Sequence, residues 1–313
     1  MPMKLRLLFL LVALSLSAAG CGGEGFVVID APDDKQTVAL GEDGTYGVGW
    51  VERTLRVRGD RTVQTDIFLP LEAVDWTADG PFPVVVGIQG GLVDQDAYRW
   101  LYRHIASRGY VVLAPHHPTK LAIFQSGNGA EVLRAARAFA ERTNGPVAGM
   151  LDDERAMAIG HSLGGVVAAK LWLYAPEEFS HLGLLASYPA PAEDYQREVS
   201  KPGDEVLTII GSEDDRTEDP PRKAKEGLDR IVEPGTYAVV DGMNHYQWGA
   251  LPSTGNLRND GTQLVDTEVA RGRALVMFDA FLERFSGGEG ALLDDPSMWP
   301  EGVSTWSEYK EAN

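Results

Sequence analysis

The sequence predicts an α/β protein with a mostly parallel sheet that is covered by helices on both faces. Two observations predict this fold class. Short apolar runs typical of buried strands alternate along the chain with longer segments that have helical periodicity. In addition, the apolar run 155–159 leads through a glycine-rich turn into a helical segment that begins at Leu163. A strand that passes directly into a helix is typical of a parallel sheet with crossover helices.

The elements follow one another in a regular order. The alternating runs Thr54–Arg58 and Thr62–Leu69 predict a hairpin that opens the sheet. Only the segments 188–204 and 251–261 have the length for a cap, so we expect no large lid. The later strands are predicted at 83–88, 110–114, 155–159, 206–210 and 236–240, and the helices at Gln95–Ser107, Asn128–Arg142, Leu163–Tyr174, Pro221–Ile231 and Asp266–Phe285.

The turn between the strand at 155–159 and the next helix is the most informative motif. It reads Gly160-His-Ser-Leu-Gly164, a G-x-S-x-G pattern with Ser162 at its apex. In a nucleophile elbow, this pattern holds the serine hydroxyl clear of the sheet on a strained turn, and glycines on either side avoid collisions with neighbouring backbone. The motif therefore predicts that Ser162 is a nucleophile.

A nucleophilic serine needs a base and an acid that orients it, and in this type of fold they follow in the order serine, acid, histidine. Asp214 follows the predicted strand 206–210, and His245 follows the strand 236–240. We therefore expect Asp214 to be the acid and His245 the base. Glu213 and Asp215 compete with Asp214 for the acid position, and the geometry of the turn decides among them.

The other histidines have simpler explanations. His104 lies in a predicted helix, His161 lies inside the elbow and His181 precedes a strand, so we expect structural roles for all three. His116 and His117 follow the strand 110–114 and could line a pocket. They precede the serine, however, and this breaks the expected chain order of a triad.

An oxyanion hole requires two backbone N–H donors aimed at the oxygen of the tetrahedral intermediate. Leu163, directly after the serine, supplies the first donor in this arrangement. The second is expected from Gln89-Gly-Gly-Leu92, the loop after the strand 83–88. Within that loop we expect Gly91 to be the donor.

Together these motifs resemble the α/β-hydrolase superfamily, over roughly residues 46 to 285. Within it the chain is similar to single-domain dienelactone hydrolases and to chlorophyllase-like and cutinase-like esterases. The resemblance rests on the oxyanion loop, the segment 106–115, the elbow 160–165, Gly211–Asp214 and the sequence Gly-Met-Asn-His at 242–245. One departure is Gln89-Gly90, where relatives commonly have His-Gly; Gln89 could alter how the loop is held or how substrate is contacted.

The resemblance implies a serine hydrolase that cleaves a carboxylic ester or a related acyl compound through a Ser-His-Asp triad and an acyl-enzyme. Residues beside the predicted base or after strands could form the substrate pocket, although core packing is an equally good interpretation: Gln89, His116, His117, Tyr188, Tyr246 and Trp248. A peptidase or a lyase on the same scaffold is an alternative. A further alternative is a non-catalytic, lipid-anchored binding protein.

The composition of the chain limits the classes of partner and cofactor that it is expected to bind. The formal net charge of −18 disfavours nucleic acid. The chain has a single cysteine, no H-E-x-x-H motif and no dinucleotide fingerprint after a strand, so we expect no metal and no cofactor. The expected partner is a small-molecule ester or acyl substrate, and the sequence does not indicate an oligomeric state.

The N-terminus predicts export. Residues 1–21 combine a short basic region, an apolar stretch too short to span a bilayer comfortably and a small-residue segment that ends at Cys21, as in a signal peptide with a bacterial lipobox. Ala18 stands where the lipobox prefers leucine. We therefore expect a cell-envelope lipoprotein attached to the membrane through Cys21, with a secreted or periplasmic protein as the alternative. Residues 22–45 read as a linker, 46–285 as the catalytic domain and 286–313 as a C-terminal extension.

Lipidation of Cys21 predicts the membrane behaviour of the chain. The full-length protein should sediment with membranes when expressed in a bacterium, and Cys21→Ser should not, because bacterial modification attaches several acyl chains that together hold firmly. Fractionation followed by immunoblotting measures this. A wild-type chain in the soluble fraction would contradict the lipoprotein hypothesis without affecting the predicted hydrolase.

Overall fold

The computed structural model describes residues 27–30, 39–71, 80–142, 147–189, 205–215, 220–229, 235–249 and 260–312. The predicted signal peptide, Cys21 and most of the two candidate cap segments lie outside these residues. The described chain contains ten strands: β1 Val27–Asp30, β2 Gly47–Arg56, β3 Thr62–Leu71, β4 Phe82–Ile88, β5 Val111–Pro115, β6 Leu151–His161, β7 His181–Leu185, β8 Glu205–Gly211, β9 Gly235–Val240 and β10 Val303–Thr305.

All ten strands belong to one sheet with the order β1-β2-β3-β5-β4-β6-β7-β8-β9-β10. The strands from β5 to β9 in this order are parallel, whereas β1, β2, β3 and β10 are added at the two edges in antiparallel fashion. Because parallel strands end at the same edge, the loops after β4, β6, β8 and β9 meet at one side of the molecule. The predicted oxyanion loop, serine, acid and base each follow one of these four strands.

Helices cover both faces of the sheet. They are α1 Arg99–Ser107, α2 Asn128–Ala140, α3 Leu163–Tyr174, α4 Pro220–Leu228, α5 Thr267–Phe285 and α6 Trp306–Ala312. One core cluster joins apolar side chains of α2, α3 and α4 to the sheet, and a second joins those of α1 and α5 to its opposite face. Strands buried on both faces explain the continuous apolar runs of the sequence. Within the described residues, no helix has both the length and the apolarity needed to cross a bilayer.

Two regions outside the predicted domain body belong to the sheet. Val27–Asp30 lie within the segment expected to be a linker, but they form an edge strand paired with β2. The C-terminal extension supplies β10, which pairs with β9, and the Trp306 ring packs edge-on against Tyr237 with 5.9 Å between ring centroids. The linker hypothesis failed here because weak periodicity does not reveal an edge strand, whose partner supplies most of its stabilisation.

A buried ionic network fixes α1 against α5 and the chain near residue 43. Asp279, fully buried on α5, accepts a hydrogen bond from Nε2 of His104 at 2.8 Å and from the Gly41 N–H at 2.6 Å. The other ring nitrogen, Nδ1, lies 3.0 Å from the Asp43 carboxylate. Burial opposes protonation of His104, but hydrogen bonds to Asp279 and Asp43 outweigh it and raise its pKa. His104 is thus structural, as expected, and its two carboxylate partners favour the charged imidazolium.

This network makes stability depend on pH in a defined direction. The pKa of His104 is higher in the folded than in the unfolded chain, so its contribution is complete below about pH 6.5 and is lost as pH rises through the folded pKa. His104→Ala should lower the free energy of unfolding at pH 6 by about 3 kcal/mol, because it leaves the Asp279 carboxylate buried beside one fewer cation. Urea denaturation at pH 6 and pH 8 measures both effects; an equal loss at both pH values would contradict a charged His104.

Candidate active site

The turn between β6 and α3 has the strained geometry of a nucleophile elbow. Ser162 has φ 54° and ψ −125°, a backbone conformation that non-glycine residues rarely adopt. A Cβ at Gly160 would lie 2.2 Å from the carbonyl oxygen of Gly164, and one at Gly164 would lie 2.3 Å from that of Ile88. Neither distance is possible in a folded protein, so both positions require glycine.

Hydrogen bonds from the neighbouring strand hold this strained turn in place. The Ser162 N–H donates to the carbonyl of Leu185 at the end of β7, at 3.0 Å. The Ser187 hydroxyl donates to the Ser162 carbonyl at 2.6 Å. Both polar groups of the Ser162 backbone therefore have partners, which fixes the peptide unit from which the hydroxyl projects.

The predicted acid and base form a buried pair. Nδ1 of His245 lies 3.0 and 3.1 Å from the two carboxylate oxygens of Asp214, and the two residues are 5% and 2% exposed. An Nδ1–H that donates to Asp214 leaves Nε2 as the acceptor nitrogen. Among the described residues, no hydrogen bond joins the Ser162 hydroxyl to His245. Such bonds are commonly long in unliganded sites and tighten with substrate.

The loop that carries His245 is a short helical turn, His245–Trp248, fixed from two sides. Asn244 and Gln247 form a capping box, in which each side chain binds the backbone N–H of the other residue. The Arg271 guanidinium on α5 donates to the carbonyls of Gln247 and Gly249 at 2.8 and 3.0 Å. The base loop is thereby tied to the longest helix of the fold.

A chain of hydrogen bonds connects the oxyanion loop, the elbow and the base loop. The Gly90 N–H donates to the Tyr98 hydroxyl at 3.0 Å, and that hydroxyl lies 2.8 Å from Nδ1 of His161. Nε2 of His161 donates to the carbonyl of His245 at 3.1 Å, which makes Nδ1 the acceptor for the Tyr98 hydroxyl. Burial, and then the nearby His245, lower the pKa of His161 well below its usual value, so the ring is neutral. His161 thus has the structural role expected for it.

The two expected oxyanion donors lie side by side. A Cβ at Gly91 would approach the side chain of Leu163 to 3.2 Å. The N–H groups of the two residues that flank Gly91 already have acceptors. The Gly90 N–H donates to the Tyr98 hydroxyl, and the Leu92 N–H donates to the Lys120 carbonyl at 2.6 Å. No hydrogen bond within the described chain engages the Gly91 N–H, and the Leu163 N–H lies in the first helical turn, where no intrahelical partner exists. Both donors are available to a ligand.

The Gln89 side chain is buried and binds two backbone groups that hold the oxyanion loop. Its side-chain amide donates to the Val93 carbonyl at 2.7 Å, and its carbonyl oxygen accepts from the His117 N–H at 3.4 Å. The residue is only 2% exposed. Of the two effects proposed for the Gln-Gly departure, the structure supports the effect on how the loop is held.

Other predicted pocket residues have packing or ionic partners. Trp248 is buried and its ring stacks on Trp100, and Tyr246 packs edge-on against the His245 ring. Tyr188 is partly buried against the core. His117 is buried, and its burial lowers its pKa to about 4, so the ring is neutral. Trp248 therefore packs the base loop, whereas the sequence had left core packing and a pocket role open.

His116 pairs with a buried carboxylate. Its Nε2 lies 3.1 Å from Oδ2 of Asp66, and this interaction raises the pKa of His116. Glu52 stands opposite Asp66 in the antiparallel register of β2 and β3. Among the described residues, Glu52, Asp66 and His116 have ligand atoms within 4.8 Å of one another, which is close enough to hold a metal ion. His116 is thus an ionic partner of the buried Asp66 carboxylate, which favours the charged imidazolium.

Sequence reasoning missed two residues beside the predicted site. Tyr98 links the oxyanion loop to the elbow, and Asp260 contacts the loops of both Asp214 and His245. The sequence carries a weak signal for Tyr98, an aromatic residue that follows a predicted glycine loop. It carries none for Asp260, which lies in a polar segment without a motif.

Comparison with known proteins agrees with this geometry. Residues 84–268 match the sequence profile of the alpha/beta hydrolase family. The chain belongs to this family. No curated protein matches the chain in sequence. Among solved structures, a ferulic acid esterase from Streptomyces cinnamoneus is similar, with 18% sequence identity and a TM-score of 0.58, over 79% of this chain and 89% of that one.

These findings confirm the predicted superfamily and fold class. At 18% identity the esterase shows a shared fold and carries no information on substrate. The matched range includes the elbow, the acid turn and the base loop. The catalytic roles of Ser162, Asp214, His245, Gly91 and Leu163 stay predictions.

The geometry separates the competing acids. Asp214→Asn should lower kcat by about 10³ to 10⁴, because an amide favours the wrong tautomer of His245. Asp215→Asn is the matched control and should have a mild effect, since the structure pairs His245 with Asp214. Steady-state hydrolysis of p-nitrophenyl acetate measures both variants. A reversed ranking would identify Asp215 as the orienting acid.

Proposed function

We propose that this alpha/beta hydrolase family member is a serine hydrolase that cleaves a carboxylic ester through a Ser162–His245–Asp214 triad. The observation that carries the proposal is the buried Asp214–His245 pair, on loops adjacent to the strained Ser162 turn. A buried carboxylate bound to Nδ1 of a histidine stabilises the imidazolium that forms during acyl transfer. A binding protein would have no need for such a pair.

In the proposed reaction, the Ser162 hydroxyl attacks the ester carbonyl while Nε2 of His245 takes its proton. The tetrahedral intermediate then collapses, the bond to the alcohol oxygen breaks, and His245 returns the proton to the leaving alcohol. Water repeats the sequence on the acyl-enzyme, which releases the carboxylic acid and restores the serine. Asp214 keeps its charge throughout and orients the imidazole.

The Gly91 and Leu163 N–H groups are proposed to stabilise the negative oxygen of the intermediate. Their availability and the close approach of the two residues support this role. Loss of one such donor typically costs about 2.7–4 kcal/mol of transition-state stabilisation. The Gln89 and Tyr98 hydrogen bonds that hold this loop are therefore expected to affect kcat more than substrate affinity.

The proposed substrate is a small-molecule ester or related acyl compound with an apolar portion. Leu92, next to the proposed donor Gly91, is 56% exposed, so an apolar group lies open at this loop. Amide hydrolysis on the same scaffold would use the same nucleophile and is tested by the same variants.

We also propose that the protein is exported and held at the bacterial cell envelope through a lipid on Cys21. The sequence of residues 1–21 supports this proposal. The proposed catalytic groups all lie between Gly91 and His245, so the anchor would tether the enzyme without contributing to the chemistry.

The test of the proposed function is the reactivity of Ser162. A fluorophosphonate probe should label the wild-type chain at Ser162, and Ser162→Ala should remove both the label and ester turnover while leaving the thermal midpoint within a few degrees. The small rate that remains should be the rate that oxyanion stabilisation and substrate binding give without the nucleophile, about 10³–10⁴-fold above the uncatalysed reaction in water. Ser297→Ala is a matched control, because its hydroxyl binds Asp295 in the C-terminal extension and makes no hydrogen bond to the elbow.

Two outcomes would contradict the proposal. Near wild-type hydrolysis by Ser162→Ala would remove Ser162 as the nucleophile. Absence of labelling in a folded wild-type chain would instead favour a binding protein with an inactive elbow.

A further inference from the structure

One carboxylate joins the loop of the proposed acid to the loop of the proposed base. Oδ1 of Asp260 accepts a hydrogen bond from the N–H of Asp215 at 3.2 Å, and Oδ2 accepts one from the N–H of Tyr246 at 3.2 Å. Asp215 directly follows Asp214, and Tyr246 directly follows His245. The two oxygens of a single side chain thus bind the peptide units immediately after both members of the pair.

We propose that Asp260 is a positioning residue of the triad: its carboxylate clamps the acid and base loops together and supports the charged form of His245. This inference rests on the proposed function, because it concerns the same site. It adds a residue that neither the sequence motifs nor the family resemblance indicates.

Neighbouring contacts show that the segment at Asp260 is fitted between the two loops. The Asn244 side-chain amide donates to the Gly261 carbonyl at 3.1 Å, which ties the segment to the base loop a second time. On the other side, a Cβ at Gly261 would lie 2.1 Å from the carbonyl of Glu213, so the segment packs directly against the acid turn. Asp260 also binds the N–H of Gly261 at 2.9 Å, which orients its carboxylate.

The clamp is needed because the acid and the base come from different strands. Asp214 follows β8 and His245 follows β9, and the two loops are joined near the pair by the Glu213 N–H, which donates to the Met243 carbonyl at 3.0 Å. The two hydrogen bonds of the Asp260 carboxylate add a second link between the loops. They bind Asp215 and Tyr246, the residues that directly follow Asp214 and His245. A shift of one loop by a fraction of an ångström would misalign Nε2 of His245 with the serine, and misalignment of this size is costly in rate.

The charge of Asp260 is a separate contribution. Burial, and then repulsion by Asp214, raise the pKa of Asp260, while His245 and the backbone N–H groups of Gly261 and Asp215 act in the opposite direction. The titratable groups around it are Glu213, Asp214 and Asp215 on the acid turn and His245 and Tyr246 on the base loop. When ionised, Asp260 adds a second negative charge near His245 and favours the imidazolium that forms during acyl transfer.

Asp260→Asn tests both contributions, since it keeps the shape of the side chain but removes the charge and turns one acceptor into a donor. It should lower kcat/KM for p-nitrophenyl acetate at least tenfold, mainly through kcat. The acid limb of the kcat/KM profile reports deprotonation of His245, and it should move to lower pH by about half a unit or more, because the imidazolium loses a supporting charge. The rate of fluorophosphonate labelling, measured across the same pH range, should show the same shift. This readout does not depend on the choice of ester, because the labelling reaction uses none.

Two further variants separate positioning from simple structural support. Asp266→Asn is the matched control: Asp266 lies on the same segment and accepts a backbone N–H from Glu268, but it caps α5 away from the pair. It should leave both kcat and the acid limb unchanged. Asp260→Glu keeps the charge but changes the reach of the carboxylate, so it should lower kcat while leaving the acid limb near its wild-type position.

The inference is overturned if Asp260→Asn matches Asp266→Asn in kcat/KM within twofold and has a wild-type acid limb, even if its thermal midpoint falls. If Asp260→Asn does not fold, Asp260→Glu decides, and wild-type kcat/KM in that variant overturns the clamp. Failure of the proposed function has a different signature, since the wild-type chain would then show neither probe labelling nor ester turnover.

Discussion

Ser162 is held in a backbone conformation that an isolated chain would avoid, and the surrounding structure is built to impose it. Strain of this kind costs roughly 1–3 kcal/mol and persists only where packing leaves no alternative. Gly160 and Gly164 allow β6, α3 and the end of β4 to approach so closely that a single methyl group would not fit. The hydrogen bonds from Ser162 and Ser187 then fix the turn to β7. The position of the serine thus depends on the close contact of three strands and a helix.

The remaining groups are positioned relative to this turn by side chains that have no direct chemical role. His161 and Tyr98 connect the elbow to the base loop and to the oxyanion loop. The Gln89 side chain and the backbone carbonyl of Lys120 hold the oxyanion loop itself. Because each loop follows a different strand, the sheet brings them to one edge, and these hydrogen bonds fix their positions relative to one another.

The sequence allowed prediction of those features that depend on local pattern. Apolar runs and helical periodicity located β4, β5, β6, β8, β9 and the five predicted helices to within a few residues, and the glycine spacing around Ser162 indicated its turn. The strand expected after His181 begins at His181 itself. The same reasoning missed β1 and β10, two short edge strands that each depend on pairing with one neighbouring strand. It left a pocket role open for Trp248 and Gln89, because aromatic and amide side chains serve packing and binding equally well. Asp260 lay beyond prediction, since its partners are backbone N–H groups from two other loops, and backbone donors leave no mark in a sequence.

The most direct test of this account is to trap the acyl-enzyme. The wild-type chain should be mixed with a p-nitrophenyl ester, quenched with acid within the first turnovers and digested for mass spectrometry. The account predicts an acyl group on the peptide that contains Ser162, formed in step with a burst of p-nitrophenol, and no such adduct in Ser162→Ala. Rapid hydrolysis with the acyl group on another residue, or persistent activity in Ser162→Ala, would contradict it.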